Sequence, residues 1–295
     1  MYLASSTAIF FGIAAALTSA ILFGFGDFGA GELGKKMNPF ALLSGIYFIE
    51  IPLLFFLVVG GNEYGTASTN VFLFLVGILG FVGFTSIIYG LTKGFASIVM
   101  SLSGLLALVV PAIASVIIGE STSVLVWIGV AVAVVAIICV TKVSDPEHAH
   151  EHKDHKLAIR ISVISGTLAG LTLGTYFVGL DQIDSPIFPK LLYLQLPGFI
   201  FGVIYVAINR STFVKIRKSF FLLLAIGVGY QIGQILFPFA SDRTSLVVTN
   251  IIVNLYPAIT IFLAKYINHE KTNQVQNFGF GLAVVGLLLV SLGAA

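Results

Sequence analysis

Long apolar segments separated by short polar connections fill almost the whole chain. A helix needs about 20 apolar residues to cross roughly 30 Å of hydrocarbon. Windows of that length lie at 7–31, 39–60, 70–91, 95–118, 124–142, 158–180, 187–208, 219–239, 244–267 and 276–294. The pattern predicts an all-α membrane protein with ten transmembrane helices. Because the connections are short, its activity is expected within the bilayer.

The one long polar run, KVSDPEHAHEHKDHK, occupies 142–156 near the midpoint, and the halves on either side of it resemble each other. Helices one to five align with helices six to ten at offsets between 145 and 154 residues. The matched pairs are Asp27 with Asp181, Glu50 with Gln195, Pro111 with Pro257, and Glu120 with Glu270. We predict a first five-helix repeat at 1–143, a polar linker at 144–157 and a second repeat at 158–295.

Five helices per repeat is an odd number, so the second repeat is expected to enter the membrane from the opposite side. Inverted repeats of this kind underlie alternating-access transporters, whose two equivalent halves expose a central site to either side in turn. The binding site is therefore expected near the bilayer midplane, where the halves meet.

The composition supports a membrane protein, with 58% hydrophobic and 9% charged residues. A soluble domain carries about 25% charged residues. The net charge of +2 gives no indication of a nucleic-acid partner, and the single cysteine, Cys139, forms neither an internal disulfide nor a metal site. The histidines of the linker, His148, His150, His152 and His155, are interleaved with charges, which favours a solvated linker over a metal site.

Lys and Arg residues predict the orientation. Of the 15 in the chain, all but Lys190 and Arg243 fall in the odd-numbered connections, the first of which joins helices one and two. These connections should be cytoplasmic, with the linker among them. Both termini are then expected outside the plasma (cytoplasmic) membrane.

Three local patterns resemble a known family. They are GFGDFGAG at 24–31, YGLTKG at 89–94, and the Pro111…Gly119-Glu120 pattern that ends helix four. Together with the ten-helix duplication, they resemble the drug/metabolite transporter superfamily, EamA-type branch, over essentially the whole chain. The resemblance implies a transporter fold but not a substrate. Members are usually drawn with cytoplasmic termini, whereas the charges here predict the reverse.

Glu50 is the first candidate for chemistry because it is a carboxylate in the middle of the apolar second helix. An ionised carboxylate facing lipid there would cost several kcal/mol, so Glu50 should face a cavity between the repeats. It could couple transport to protons or bind a cation, or it could be a structural hydrogen-bonding group. Gln195 occupies the matching position without the charge.

Other polar residues could line the same cavity or could be structural. Asp27 lies near one end of helix one, as a second ionisable site or as a helix-end charge. The amide and hydroxyl candidates are Gln231, Gln234, Asn250, Asn254 and Ser101, and the aromatic candidates are Tyr47, Tyr89, Tyr193 and Tyr230. Asn250 and Asn254 are expected to share one face of helix nine. Tyrosine walls would suit a cationic amine, and Pro111 and Pro257 could act as bending points.

These features predict a secondary transporter of a small polar organic metabolite, such as an amino acid or an amine. It would work by alternating access, with Glu50 as the candidate proton-coupling group. The alternatives are a passive facilitator or channel and a non-transporting membrane scaffold. We expect no enzymatic activity, cofactor or metal. The expected partners are the solute and the lipid bilayer, with no nucleic acid, and the protein is expected to be a monomer or a weak homodimer.

Overall fold

The computed structural model describes residues 6–34, 36–61, 65–93, 96–119, 123–140, 155–210, 216–267 and 274–294. In the first half, the helices are α1 (Ser6–Gly34), α2 (Pro39–Gly61), α3 (Ala67–Lys93), α4 (Ala96–Ile117) and α5 (Val124–Val140). In the second half, they are α6 (His155–Gln182), α7 (Ile187–Ile208), α8 (Phe220–Ser241), α9 (Leu246–Val253), α10 (Tyr256–Ile267) and α11 (Gln274–Ala294). These described ranges contain no strand.

Within the described residues, six helices are long and apolar enough to cross a membrane, namely α1, α2, α3, α6, α7 and α8. Shorter apolar segments lie at Leu102–Ile117 in α4 and Val124–Cys139 in α5. Large hydrophobic side chains cover the outer surface, with Phe56, Ile117 and Phe221 at least three-quarters exposed. Such a surface suits contact with lipid chains. The linker predicted at 144–157 lies outside the described residues up to 154, and its last three residues belong to α6.

The prediction of ten continuous helices is wrong at the ninth, because the described chain forms eleven helices. The ninth window divides into α9 and α10 at Asn254 and Leu255. Pro257 has no backbone N–H, so the carbonyl of Val253 loses its usual helical donor. The amide Nδ2 of Asn254 donates to the backbone oxygen of Asn250 at 2.9 Å and to its side-chain Oδ1 at 2.8 Å. Asn254 therefore caps the end of α9, and its side-chain contact with Asn250 keeps the two amides on one face of the broken helix.

Asn250 joins this broken helix to α4. Its Nδ2 donates to the backbone oxygens of Ala107 and Leu108 at 3.2 and 3.3 Å. The Ala107 oxygen would ordinarily accept from the residue four positions later, but that residue is Pro111, which has no N–H. Asn250 supplies the missing donor, which explains its complete burial.

Most helix packing occurs between the two halves. α1 packs on α8, α9 and α10, and its counterpart α6 packs on α3 and α4. α2 packs on α7, and α5 packs on α11. The pattern is preserved when each helix is replaced by its repeat counterpart, while neighbours within one half touch little. Neither half therefore has a separate core.

Glycine permits the closest of these approaches. A side chain added at Gly77 of α3 would place its Cβ 2.2 Å from the backbone oxygen of Leu194 in α7. Since that obstacle is backbone, it cannot rotate away. Small residues at helix interfaces are the usual means by which membrane helices approach closely.

Gly77→Ala is expected to destabilise the fold by about 2 kcal/mol, because α3 and α7 must separate to accept the methyl group. Gly60→Ala is the matched control. Gly60 also lies in a helix, but a Cβ there meets nothing within 4 Å, so alanine should be neutral or stabilising by up to about 1 kcal/mol. Unfolding of the two purified variants in one detergent checks this. Equal stability of the two would contradict the close packing of α3 on α7.

Asn250→Leu is expected to cost about 1–2 kcal/mol, because it leaves the Ala107 oxygen without a donor inside the bundle. Asn209→Leu serves as the control, since Asn209 is exposed and its Nδ2 bonds only within its own helix end, to Tyr205 at 3.2 Å. The same unfolding measurement applies. A loss at Asn209 as large as that at Asn250 would show that the contact with α4 carries no special stability.

Candidate functional site

Glu50 lies in the middle of α2 with 2% of its surface exposed. The packing of α2 on α7 and α8 turns this side chain toward the other half of the protein. Its carboxylate is within electrostatic range of the hydroxyl groups of Tyr47, Tyr176 and Tyr230. Among the described residues, no side-chain hydrogen bond reaches that carboxylate. Glu50 is thus a buried acid surrounded by phenol groups.

A chain of hydrogen bonds runs beside this acid. The Tyr176 hydroxyl donates to Gln234 Oε1 at 2.6 Å. Gln195 Nε2 donates to Gln234 Oε1 and to Gln231 Oε1, each at 3.1 Å. These four residues come from α6, α7 and α8, and none of them exposes more than 4% of its surface. Two of their atoms, Gln195 Oε1 and Gln231 Nε2, are buried without a hydrogen-bond partner.

The two unpaired atoms are a property of the network itself. Reversing all three amides would let Gln231 and Gln234 donate to Gln195 Oε1, but Gln234 would then donate to Tyr176 and the tyrosine proton would lose its acceptor. The donation from Tyr176 to Gln234 Oε1 therefore favours the orientation in which Gln195 Oε1 and Gln231 Nε2 are unpaired. In that orientation, these amides keep one unused donor and one unused acceptor. An unpaired buried amide costs roughly 1–3 kcal/mol, so this pair is suited to binding a polar solute or water.

Tyr47 reaches the site because Gly198 lacks a side chain. A Cβ at Gly198 of α7 would lie only 2.2 Å from the Tyr47 ring. The ring is also 6.4 Å from that of Phe81 in α3. Tyr47 precedes Glu50 by three residues on α2, so both side chains share a helix face.

A second acid lies on α1. The Tyr230 hydroxyl donates to Asp27 Oδ1 at 2.5 Å. Gly26 makes room for this contact, since a Cβ there would lie 2.7 Å from the Tyr230 ring. The ring centroids of Phe23 and Phe84 are 6.1 and 6.2 Å from that of Tyr230. Asp27 is half-buried and is also within electrostatic range of Tyr256.

The repeat counterpart Asp181 has different surroundings. Its Oδ2 accepts a hydrogen bond from Gln182 Nε2, and its carboxylate is within electrostatic range of Lys190 and Asp242. Lys190 lies in the first turn of α7 with 7% of its surface exposed, and its Nζ donates to the Leu180 oxygen at 3.1 Å. Lys190, which falls in the predicted window 187–208, is thus buried at the start of α7, within electrostatic range of Asp181 and of the exposed Asp184 and Asp242.

The structure therefore brings together seven of the predicted site residues, namely Asp27, Tyr47, Glu50, Gln195, Tyr230, Gln231 and Gln234. Asn250 and Asn254 form a separate polar contact with α4. Tyr193 is half-buried and packs on the hydrophobic core, and Tyr89 is 40% exposed. The side chain of Ser101 lies outside the described part of the chain.

Sequence reasoning missed Tyr176, which links the amides to the acid. Its repeat counterpart is the apolar Leu22, so the matching of the halves gives no sign of it. The available signal was a tyrosine six residues before Gln182, far from the helix ends where tyrosine usually lies in membrane proteins.

Comparison with known proteins identifies the family. A solved crystal structure of a protein with 11% sequence identity covers 97% of this chain and is itself covered over 98% of its length, with a TM-score of 0.72. That likeness concerns the fold alone. No curated protein matches the chain. The family model of the EamA-like transporter family matches residues 10–142 and again 160–292. Because two copies of that model cover most of the sequence, the chain belongs to the EamA-like transporter family and is a multi-pass membrane protein of the drug/metabolite transporter type.

Proposed function

We propose that this protein is a secondary transporter that moves a small polar organic metabolite across the membrane by alternating access. The observation that carries the proposal is the pair of unpaired amide groups beside Glu50, buried where the two halves meet. An unpaired donor and an unpaired acceptor lie together there in one network, whereas the contact of Asn250 and Asn254 with α4 leaves a single acceptor, Asn254 Oδ1, unpaired.

The duplication would allow the protein to exchange between an inward-open and an outward-open conformation. Each proposed repeat, 1–143 and 158–295, crosses the bilayer an odd number of times, so the repeats are inverted relative to each other. Packing that is preserved on exchange of the halves is consistent with this symmetry. Either half can then adopt the conformation of the other, which moves the access path from one side of the membrane to the other.

The polar network supplies the binding groups. A solute that brings one acceptor and one donor to Gln231 and Gln195 removes the cost of two unpaired groups in one step. That gain is specific because a solute without these groups leaves them unpaired. The contrast favours a polar organic solute over an apolar one.

Glu50 supplies the coupling. A lone ionised carboxylate is costly in the membrane interior, whereas the protonated acid is not. Protonation therefore changes the relative stability of states that differ in the exposure of Glu50 to water. A proton gradient can shift the two-state equilibrium only through such a difference.

The orientation is proposed from the positions of Lys and Arg, with the linker in the cytosol and both termini outside the plasma membrane. The connection between α7 and α8, which contains Arg210, would be cytoplasmic. The connection between α6 and α7, which contains Asp184, would face outward.

Glu50→Gln is expected to abolish accumulation of solute against its gradient while leaving solute exchange at equal concentrations measurable. The amide keeps the shape of the side chain but cannot exchange a proton. A thermal-stability screen of the purified protein with polar metabolites identifies the solute, and proteoliposomes with and without a proton gradient provide the measurement. Asp184→Asn is the control, because it removes an exposed carboxylate between α6 and α7.

Gradient-independent flux that is equal in the wild-type protein and Glu50→Gln would instead identify a passive facilitator. Absence of any stabilising solute and of any flux would favour a scaffold without transport. Both results contradict the proposal.

The orientation has its own test. Since Cys139 is the only cysteine, Cys139→Ser gives a cysteine-free background. In that background, Asp184→Cys should react with a membrane-impermeant maleimide added to intact cells, and Asn209→Cys should react only after the membrane is permeabilised. The reverse pattern would show that the termini are cytoplasmic.

A further inference from the structure

We infer that the solute is an organic cation whose charged group binds between Asp27 and Glu50 against the aromatic rings around Tyr230. This rests on the proposed transport function and adds the class of substrate. Three independent features of the site carry it, namely its charge, its rings and its free amide atoms.

Two acids face a single tyrosine. The Tyr230 hydroxyl donates its one proton to Asp27 and is also within electrostatic range of Glu50. Asp27 comes from α1 and Glu50 from α2, and Tyr230 lies on α8 between them. The hydroxyl proton can serve only one carboxylate, so Glu50 gains an unbalanced negative charge whenever it ionises.

No basic side chain of the described residues balances these acids. Lys190 is the buried basic residue among them, and it faces Asp181, Asp184 and Asp242. Lys36, Lys93, Arg160 and Arg210 are exposed, and Arg243 is held over the ring of Phe239. Opposite charges within a few ångströms attract strongly at low dielectric, so the site favours a cation and repels an anion.

Aromatic rings line the space beside Asp27. Phe23 packs tilted against Tyr230 and edge-on against Tyr256, at centroid distances of 6.1 and 6.4 Å. Phe84 contacts Tyr230 from α3. Tilted and edge-on rings leave some faces without a stacked partner. An ammonium group within about 6 Å of such a face is attracted to it.

The free amide oxygen completes the set. Gln195 Oε1 is an unpaired acceptor, which an ammonium N–H can satisfy. The acids, the aromatic faces and the carbonyl oxygen of the site all attract a positive charge or a hydrogen-bond donor. The solute group that binds there should therefore carry one or both. A sugar could donate hydroxyl hydrogen bonds to the carboxylates but would not balance their charge, and a carboxylate anion would be repelled.

Charge balance then couples the solute to protons. When the cation arrives as R–NH₃⁺ and Glu50 is protonated, the carboxyl loses its proton to water and the ammonium pairs with the resulting carboxylate. The titratable groups facing the two acids are tyrosines from four elements, namely Tyr47 of α2, Tyr176 of α6, Tyr230 of α8 and Tyr256 of α10. Cation and proton therefore compete for Glu50, and binding of the cation weakens as the pH falls.

The test uses the purified full-length protein in detergent and matched pairs of probes. Choline is compared with its neutral carbon isostere dimethylbutanol, putrescine with butanediol, and propylamine with propanol, with propionate as the anion. Binding is followed by the shift in unfolding temperature and by proton release in weak buffer, across an acid-to-alkaline pH series. At least one cation should stabilise the protein and release protons, while its neutral partner and propionate do neither.

Substitutions test which residues bind the cation. Asp27→Asn and Glu50→Gln should each weaken cation binding at least tenfold, and Glu50→Gln should also remove the proton release. Asp184→Asn should match the wild type in both readouts. The unfolding temperature without probe establishes that each variant is folded.

Two results would overturn the inference. One is stabilisation by a neutral or anionic probe equal to that by its cationic partner. The other is failure of all three cations to bind the folded wild-type protein. If uncharged or zwitterionic metabolites are then carried in proteoliposomes with dependence on Glu50, the transport proposal still stands and only the substrate class is wrong. Loss of all solute flux would remove the transport proposal itself.

Discussion

A polar group buried in this protein has no bulk water to bond with, and that constraint governs both the fold and the site. Where α9 and α4 hold together, Asn250 donates to the carbonyl that Pro111 leaves open, and only Asn254 Oδ1 keeps no partner. Beside Glu50, the amides of Gln195 and Gln231 each keep an unused atom. The network beside Glu50 therefore differs from the contact with α4 in offering an unused donor and an unused acceptor together.

The absence of bulk water in the bilayer also explains why the helices of one half pack mainly on helices of the other half. In lipid, helices gain little by burying apolar surface, so close approach at glycine and shared hydrogen bonds provide the association. Gly77 against Leu194 and Gly198 against Tyr47 are approaches of this kind between the two halves. The Gly198 contact also aims Tyr47 toward the acid three residues away. The packing that holds the repeats together therefore shapes the site that lies between them.

Much of this could be predicted from hydrophobic periodicity and internal similarity. Both report which segments are apolar and which segments correspond, so the all-helical fold and the two matched halves were predicted correctly. A bending point at Pro257 was predicted, but the break at Asn254 and Leu255 was not, because a Pro in an apolar window does not reveal which partner will satisfy the freed carbonyl. Tyr176 was missed because contacts between α6 and α8 depend on rotation of each helix about its axis, which the pattern leaves open.

The two halves differ at the residues proposed to couple transport to protons. Two identical repeats would make the inward-open and outward-open states equal in free energy, because each state is the other with the halves exchanged. Here the repeat counterpart of Glu50 is the uncharged Gln195. Asp27 bonds to a tyrosine, whereas its counterpart Asp181 is within electrostatic range of Lys190. These differences leave two acids without a basic partner among the described residues of the first repeat, whereas Asp181 in the second repeat is within electrostatic range of Lys190. In the transport mechanism proposed above, the two states would then differ in free energy by an amount that depends on whether Glu50 is ionised, so protonation would set the preferred direction of transport.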